Sequence, residues 1–461
     1  MENKIKYIHF VGIGGSGMSG IAEIMHNMNF VVSGSDPNQS SVIEHLRKRG
    51  IPIFSKHEEK NIQKVDVVVI STAIPKNNPE IVAAKKQNIP IIPRAEMLSE
   101  LMRFKEGIAI AGTHGKTSTT SILATIMNDA GLDPTYVIGG RINSLRQSAR
   151  LGKSKYMIVE ADESDASFLH LNPSNVLVTN IDNDHMETYG HDEERLKQTF
   201  VDFIHQIPFY NEVFLCIDDK NIKSIQKLIA RPIITYGFSK KADYYPDRVV
   251  IKKNKSSFRV NSISKKMRSF SVEIDMPGRH YILNTLGAIA IALSLNIKPL
   301  VISKALKKFK GVSRRFDLYE KFKLGEKNIN LIDDYGHHPT EIKAVLDSIK
   351  KGFPGKKINL VFQPHRYSRT KDLFEQFVQI LATVDRLFLF EIYAAGEQAI
   401  EGISSHELIK NIKNEKYILD DMAKARLLIE DKIKDDEILL VMGAGSVGNW
   451  VKHQLLGDID G

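Results

Sequence analysis

A lysine and a threonine end a short run of small residues at Gly112-Thr-His-Gly-Lys-Thr117. The apolar residues 107–111 before this run predict a buried strand, and the apolar spacing within 122–126 predicts a helix after it. A glycine loop between a strand and a helix binds phosphate through backbone N–H groups, while its lysine neutralises charge and the next hydroxyl ligates Mg²⁺. Lys116 and Thr117 fit these two roles, although the loop is shorter than the common pattern.

Acids and an imidazole follow two further predicted strands, at the point where each strand ends. Glu160 begins the acidic segment 160–165, and His185 ends the polar segment 180–185. Because ligands of doubly wound sheets lie outside the carboxyl ends of the strands, Glu160 and His185 are candidate metal ligands together with Thr117. Three other acids of these segments fit solvated loop positions better: Asp162, Asp165 and Asp182.

A second glycine-rich stretch lies near the start of the chain. After the predicted strand 6–10, Gly12, Gly14 and Gly17 form the pattern G-x-G-x-x-G, and Asp36 ends the next predicted strand. Such glycines let the backbone approach a pyrophosphate, and an acid about 20 residues further on binds a ribose hydroxyl. The pattern fits a dinucleotide and, equally well, a nucleotide-sugar diphosphate.

Two arginines open the last third of the chain. Arg314 and Arg315 lie in a predicted linker between a helix and a strand. From there Arg315 can reach a phosphate across a domain gap, as an arginine finger does; the alternative is a surface linker cation.

Further polar residues follow the next two predicted strands. Strand 329–332 leads into 333–341, where we expect Thr340 to cap the following helix. The next strand leads into Arg366 and Arg369, which are three residues apart. If this segment is helical, the two guanidinium groups share a face and can clamp a carboxylate.

Another G-x-G-x-x-G, at Gly443, Gly445 and Gly448, follows the predicted strand 438–442. No acid-bearing strand follows it before residue 461. We therefore predict a tight strand-to-helix turn here rather than a nicotinamide site.

The composition is typical of a globular protein. A length of 461 residues suggests about three domains. The single cysteine, Cys216, excludes an intramolecular disulfide or a cysteine-based metal cluster and favours a reducing compartment. No apolar run approaches the ~18 residues of a membrane span, and no export segment is evident. We expect a cytoplasmic protein without membrane insertion.

The net charge of +9 does not by itself indicate a partner. In the densest basic stretch, 248–268, basic residues alternate with apolar ones, which predicts strands with one solvated face. No recognition motif accompanies this stretch, so we expect no nucleic-acid partner.

Strands alternate with helices along most of the chain, which predicts the α/β class. We predict three domains: a Rossmann-like domain at 1–104, a central doubly wound domain of the P-loop ATPase type at 105–312, and a Rossmann-like domain at 313–461.

Several spaced motifs together resemble the Mur ligases. In chain order they are Gly112–Thr117, Glu160–Asp165, Asn180–His185, Asn284, Arg314–Phe316 and Asp333–Glu341. Within this family, residues 9–18 and 365–369 are similar to those of the member that joins L-alanine to the lactyl carboxylate of UDP-N-acetylmuramate. The resemblance runs nearly from end to end.

The resemblance implies three ligand sites. Residues implied to bind the UDP substrate are Gly12, Gly14, Gly15, Ser16, Gly17, Met18, Asp36, Ser71 and Thr72. Residues implied to bind ATP are Gly112, Thr113, His114, Gly115, Lys116, Thr117, Ser118, Asn284 and Arg315. Residues implied to surround the amino acid are Tyr335, His337, Arg366 and Arg369. Mg²⁺ would lie on Thr117 and Glu160, with a second ion on His185.

The implied activity is ATP-dependent amide formation through an acyl phosphate, in peptidoglycan precursor synthesis. Lys116 and Arg315 would stabilise the phosphates, and His337 would position or deprotonate the amine. We expect a monomer or a homodimer. Sister ligases often use a carbamylated lysine, but nothing marks Lys197, the first lysine after His185, as that residue.

Other activities stay open from the sequence. A related ligase could add an intact tripeptide to UDP-N-acetylmuramate, and a folylpolyglutamate-type ligase shares the ATP chemistry. A nicotinamide-dependent oxidoreductase is supported by the two G-x-G-x-x-G patterns alone.

Overall fold

The structure is a computed structural model that describes residues 5–71, 73–142, 147–264 and 267–457. Its strands form three sheets with helices between them, which confirms the predicted α/β class. The chain divides into two compact units. The first comprises Met1–Tyr245, Asn261–Arg268 and Leu283–Lys308, and the second comprises Pro246–Val260, Ser269–Ile282 and Phe309–Gly461.

The first sheet has five parallel strands in the order β3-β2-β1-β4-β5. Its strands are β1 (Tyr7–Val11), β2 (Val31–Ser35), β3 (Ile53–Phe54), β4 (Val67–Ile70) and β5 (Ile91–Pro93). Its helices are α1 (Ser16–Asn27), α2 (Ser41–Lys48), α3 (Pro79–Lys86) and α4 (Arg94–Met102). Because the strand order reverses direction at β1, the loop after β1 opens into the crevice where ligands of such sheets bind.

The second sheet carries the phosphate loop. In the first unit its strands follow the order β12-β11-β10-β6-β9-β7-β8. They are β6 (Glu106–Ala111), β7 (Thr135–Ile142), β8 (Gln147–Arg150), β9 (Tyr156–Glu160), β10 (Asn175–Val178), β11 (Val213–Cys216) and β12 (Ile233–Tyr236). The helices are α5 (Lys116–Asp129), α6 (Glu193–Ile204), α7 (Lys220–Ile225), α8 (Arg279–Ser294) and α9 (Pro299–Lys308). β6 lies between the parallel strands β9 and β10, so the segments after all three leave the same edge.

The basic stretch forms strands, as predicted. They are β13 (Tyr244–Lys252), β14 (Lys255–Ser262) and β15 (Phe270–Ile274), and β14 and β15 are antiparallel. Buried and more exposed residues alternate along β14, so its basic side chains share one face.

The third sheet lies in the second unit and follows the order β16-β17-β21-β18-β19-β20, with β16 antiparallel to its neighbour. Its strands are β16 (Asp317–Leu324), β17 (Lys327–Asp334), β18 (Ile358–Phe362), β19 (Arg386–Phe390), β20 (Glu415–Leu419) and β21 (Ile438–Met442). Its helices are α10 (Pro339–Gly352), α11 (Tyr367–Asp372), α12 (Phe374–Leu381), α13 (Ser405–Lys410), α14 (Met422–Lys432) and α15 (Val447–Trp450). The neighbouring parallel strands β17, β21 and β18 all end at the same edge of this sheet.

Two helices begin earlier than the sequence pattern predicts. α8 begins at Arg279 rather than at Asn284, because the turn is complete at Gly278, which has a φ of 122°. The cap of α10 is His338 and not Thr340, because Pro339 occupies the first helical position and fixes the cap one residue before it. No helix in the described ranges is both long enough and apolar enough to cross a bilayer.

Candidate active site

The phosphate loop begins where β6 ends, at the centre of the second sheet. Gly112 and Gly115 have φ values of 122° and 86°, which favour glycine. A Cβ at Gly112 would also collide with Oγ1 of Thr179. α5 begins at Lys116, so the predicted order of strand, loop and helix is confirmed.

The segment after β10 holds this loop in place. The backbone O of Asn180 accepts from Thr113 N at 3.1 Å, and its side-chain Oδ1 accepts from His114 N at 2.9 Å. The His114 ring lies 3.0 Å from Oδ2 of Asp182, measured from Nε2. Asp182 is therefore a partner of the phosphate loop rather than a solvated loop residue.

Lys116 is held over the loop by oxygen atoms. Its Nζ donates to Glu163 Oε2 at 2.6 Å, to Gly112 O at 2.6 Å and to Thr113 O at 3.1 Å. Burial lowers the pKa of Lys116, but the carboxylates of Glu163 and Asp162 outweigh that effect and raise the pKa above its usual value. Burial raises the pKa of Glu163 to about 7, against the opposing effect of Lys116. Lys116 is thus a firmly protonated cation, as phosphate binding requires.

Two of the three predicted metal ligands lie together. Thr117 Oγ1 donates to Glu160 Oε2 at 3.1 Å, and Glu160 Oε1 accepts from Gly139 N at 2.8 Å. Hydroxyl and carboxylate oxygens suit Mg²⁺. His185 has a φ of 55°, and its Nε2 lies 3.6 Å from Oδ2 of Asp184. Its place in a metal site stays a prediction.

Asn284 packs against the phosphate loop. A Cβ at Gly115 would lie 2.6 Å from Asn284 Oδ1, and the asparagine is buried. Ser118 is also buried, in the first turn of α5. The adenine contact implied for Asn284 stays a prediction.

The first glycine loop is closed by Asp36. Its Oδ2 accepts from Gly14 N and its Oδ1 from Asn38 N, both at 2.9 Å. A Cβ at Gly14 would lie 2.8 Å from that same Oδ2, and Gly12 has a φ of 75°. Asp36 therefore shapes the loop, a role that the predicted hydroxyl contact did not include.

The other residues predicted for the UDP substrate differ in their surroundings. Gly15 is exposed, and Ser16 begins α1. The Met18 side chain is buried, and its backbone N donates to Gly15 O at 3.0 Å. Ser71 follows β4 and is half-buried, whereas Thr72 lies outside the described residues.

A buried polar cluster behind this loop was not predicted. Oε2 of Glu80 lies 2.6 Å from Ser35 Oγ and 3.0 Å from His57 Nδ1, and Oε1 lies 2.6 Å from Asn61 Nδ2 and 3.3 Å from His9 Nε2. Burial raises the pKa of Glu80, but hydrogen bonds from His9, Ser35 and Asn61 outweigh it and lower the pKa. The ionised carboxylate fixes Ser35, which ends β2 next to the loop aspartate.

In the second unit, two arginines lie on one aromatic ring. The guanidinium carbons of Arg314 and Arg315 lie 5.5 and 5.1 Å from the ring centre of Tyr335. Arg314 Nε is 3.2 Å from both carboxylate oxygens of Asp333, and Nη2 donates to Gly443 O at 2.8 Å. The backbone here connects α9 to β16, a strand that the sequence analysis did not predict, and Arg314 is a partnered cation.

Glu341 connects Arg315 to the histidine segment. Its Oε1 lies 3.7 Å from Arg315 Nη1, and its Oε2 accepts from the backbone N of His337 and His338 at 2.9 and 3.3 Å. The His337 Nδ1 lies 3.3 Å from Tyr335 O. Because a carbonyl accepts, Nδ1 carries the proton there and the basic lone pair is on Nε2.

Burial shifts three titratable groups near these residues. It raises the pKa of Asp333 to about 7 and that of Asp334 to about 6, with Arg314 and Arg315 respectively opposing the shift. It lowers the pKa of His280 to about 4. Carboxyls that bind protons near neutrality are typical of functional sites.

The two predicted carboxylate-binding arginines do not share a helix face. α11 begins at Tyr367, and Arg366 precedes it with a φ of 72°, so the helical condition of that prediction fails. Arg366 Nη1 lies 3.9 Å from Glu397 Oε1. Arg369 lies within α11, is buried, and donates from Nη1 to His365 O at 3.2 Å.

A row of rings joins Arg369 to His337. The His365 ring stacks on Tyr393 with centres 5.5 Å apart, and its centre lies 5.6 Å from that of His337. The His337 ring in turn meets Tyr335 edge-on at 5.6 Å. Tyr335, His337 and Arg369 thus adjoin one aromatic cluster, to which the structure adds His365 and Tyr393. Arg366 meets this cluster through its backbone N, which donates to Tyr393 O at 2.8 Å.

The glycine loop after β21 is filled by protein side chains. Gln363 Oε1 accepts from Val447 N at 2.9 Å. A Cβ at Gly445 would lie 2.6 Å from this Oε1, and a Cβ at Gly448 would collide with Nη1 of Arg314. The predicted strand-to-helix turn is confirmed, and the side chains of Gln363 and Arg314 pack against its backbone.

Three family models match the chain in order. Their descriptions are "Mur ligase family, catalytic domain" for residues 7–106, "Mur ligase middle domain" for 110–292 and "Mur ligase, glutamate ligase domain" for 314–445. The chain belongs to the Mur ligase family.

Individual Mur ligases match over nearly the whole chain. A UDP-N-acetylmuramate–L-alanine ligase of Hydrogenovibrio crunogenus is 49% identical over 456 residues, which are 98% of each chain. The solved UDP-N-acetylmuramate-alanine ligase of Thermotoga maritima has a TM-score of 0.82 and 29% identity, with 98% of each chain covered. A murein peptide ligase of Psychrobacter arcticus has a TM-score of 0.74 at 23% identity, covering 99% of this chain and all of that chain, and shows the fold alone.

Lys197 pairs with two acids of its own helix, α6. Its Nζ lies 2.8 Å from Glu194 Oε1 and 3.3 Å from Glu193 Oε1. The hydrogen bond to Glu194 is the main cause that raises the pKa of Lys197. Carbamylation needs the neutral amine, so this pairing opposes it.

Proposed function

We propose that this chain joins L-alanine to the lactyl carboxylate of UDP-N-acetylmuramate in the cytoplasm, with conversion of ATP to ADP and phosphate. The near full-length similarity to UDP-N-acetylmuramate–L-alanine ligases carries the proposal. The phosphate loop, the first glycine loop and the arginine and histidine cluster of the third sheet supply the chemistry that this reaction needs.

The first step activates the carboxylate. A lactyl oxygen attacks the γ-phosphorus of ATP, and the bond between that phosphorus and the oxygen bridging to the β-phosphate breaks. ADP departs with the bridging oxygen, and the lactyl carboxylate becomes an acyl phosphate. Lys116 offsets the charge that moves toward ADP, and Arg315 is proposed to stabilise the transferred phosphoryl group. The oxygens of Thr117 and Glu160, 3.1 Å apart, are suited to hold Mg²⁺, which when bound neutralises phosphate charge.

The second step forms the amide. The amine of alanine has a reference pKa near 8 and is mostly protonated at neutral pH, so it must lose a proton before it attacks. Nε2 of His337 is proposed to take or orient that proton, and Arg366 and Arg369 to bind the alanine carboxylate. Attack on the acyl carbon then expels phosphate and leaves the amide.

Release of ADP tests the proposal. We expect release that requires both UDP-N-acetylmuramate and L-alanine, and loss of it in Lys116→Gln. A preference for a tripeptide would instead indicate the peptide-adding relative. Hydride transfer without ATP would indicate an oxidoreductase.

The role of His337 has its own test. His337→Ala is expected to lower turnover about 100-fold at neutral pH, with partial recovery at high pH where alanine is already deprotonated. Full turnover at every pH would show that another group serves the amine.

A further inference from the structure

Arg94 lies on the first glycine loop, although no motif includes it. It begins α4, and a Cβ at Gly17 would lie 2.5 Å from its Nη1 and 3.0 Å from its Cδ. The guanidinium therefore covers the backbone of the third glycine of G-x-G-x-x-G. Its side chain is 22% exposed.

Asp162 holds Arg94 in this position. Arg94 Nη2 lies 3.4 Å from Asp162 Oδ2. The Asp162 side chain is 41% exposed, so it is a partly solvated loop residue that also pairs with Arg94.

Adjacent acids thus hold cations at two different glycine loops. Asp162 holds Arg94 on the first loop, and Glu163 holds Lys116 on the phosphate loop. Both loops suit phosphate groups, and in each case a carboxylate fixes a cation beside the backbone. The shared acidic segment links the two anion sites through consecutive residues.

We propose that Arg94 binds the diphosphate of UDP-N-acetylmuramate and that Asp162 is the positioning residue that holds it over the loop. This inference rests on the proposed function for the identity of the ligand. Backbone N–H groups donate hydrogen bonds to a diphosphate but provide little positive charge to compensate it. A guanidinium provides both, and its planar fork matches the geometry of phosphate oxygens.

Binding of UDP and of uridine separates this role from a purely structural one. By isothermal titration, Arg94→Gln is expected to weaken UDP about tenfold and uridine less than twofold, because uridine has no phosphate. The Arg94→Lys variant keeps the charge but loses the planar guanidinium fork, so its UDP affinity should lie between those of the wild type and Arg94→Gln. Arg103→Gln is the matched control: Arg103 directly follows the same helix, is 64% exposed, and pairs with Glu100 at 3.3 Å.

A double-mutant cycle tests Asp162. Asp162→Asn alone should weaken UDP about threefold, and it should have no further effect in the Arg94→Gln background, because it acts through Arg94. Additive losses would overturn the positioning role. A UDP affinity in Asp162→Glu that is closer to wild type than that of Asp162→Asn would support the positioning role.

Other results would overturn the inference as a whole. Equal losses for UDP and uridine in Arg94→Gln would mean that Arg94 only supports the fold, and unchanged UDP affinity would mean that it does not meet the diphosphate. If Arg94→Gln does not fold, Arg94→Lys gives the same comparison. ADP release by the wild-type protein, measured separately, distinguishes failure of the proposed function from failure of this inference. The effect of Arg94 on UDP affinity does not depend on which amino acid the enzyme uses.

Discussion

Two loops of this chain share the pattern G-x-G-x-x-G, and each lies between a strand and a helix. In the first, Asp36 bonds the amide of Gly14, and Arg94 covers Gly17. In the second, Gln363 bonds the amide of Val447, and Arg314 packs on Gly448. Each loop thus holds an arginine over its third glycine, with side chains that are 22% and 21% exposed. The first arginine pairs with Asp162 and the second with Asp333.

The comparison shows what the glycines contribute. In both loops the glycines permit close approach of polar side chains to the backbone, an arginine among them in each case. The second loop positions Arg314 against Tyr335, so it serves the proposed amino-acid site. A nucleotide function cannot be read from the pattern alone.

Among the changes at these two loops, the largest loss of activity is expected from removing Arg314, which packs on Gly448 of the second loop. Arg314→Ala should lower ADP release about 100-fold, because Tyr335 and Asp333 lose their shared partner. It should also lower the free energy of unfolding by about 1–3 kcal/mol, since Asp333 and the carbonyl of Gly443 lose a hydrogen-bond donor. UDP affinity, measured by titration, should change less than twofold. A parallel loss of UDP affinity would contradict the separation of the two loops.

A matched pair of glycine substitutions should give reciprocal results. Gly14→Ala brings a Cβ to 2.8 Å from Asp36 Oδ2 and should weaken UDP about tenfold, with little change in the KM for L-alanine. Gly448→Ala should displace the end of Arg314 and lower kcat or raise the alanine KM about tenfold, with UDP unaffected. Steady-state kinetics and titration of both variants provide the check. The same profile from both substitutions would remove the distinction.

The surroundings of the second loop should depend on pH. Asp333 has a pKa of about 7 in the folded chain against 3.8 as its ordinary value, so the folded chain binds more protons between these pH values. The free energy of unfolding should therefore fall as pH rises from about 4 to about 7. Asp333→Asn should remove the part of this fall that Asp333 contributes, while the parts from Asp334 and Glu163 remain. Urea titrations of both proteins across that range isolate the effect, because His280, which acts in the opposite direction, is common to both.

The smallest effect is expected from the side chain that caps the second loop. Gln363→Leu leaves Val447 N–H without its acceptor and should lower the free energy of unfolding by about 1–3 kcal/mol. UDP affinity is the internal control and should not change. Urea denaturation gives the stability, and wild-type stability would show that the hydrogen bond is not needed to hold the loop.

Sequence reasoning located most of the elements that carry chemistry. The apolar runs before Gly112, Gly12 and Gly443 are short and bounded by glycine, so strand, loop and helix followed directly from the pattern. Thr117 and Glu160 could be paired because the ends of neighbouring parallel strands meet at one edge. The family resemblance added the ligands, which spacing alone left open.

The remaining contacts depend on tertiary packing between distant segments. Arg94 meets Asp162 across 68 residues, and Arg314 meets Gly443 across 129. Such partners leave no periodicity in the sequence, and a buried acid such as Glu80 has the same letter as an exposed one. Local backbone angles were missed for the same reason: the positive φ of Arg366 has no signal in its neighbours.

The position of β21 has a consequence for how the second unit is made. The last strand of the chain lies between β17 and β18, pairing Asn330–Asp334 on one side and Ile358–Phe362 on the other. Until Ile438–Met442 has left the ribosome, these two strands lack the neighbour that joins them. The third sheet must therefore close late and through long-range contacts, which fold slowly, whereas the strands of the first sheet are all complete by Pro93.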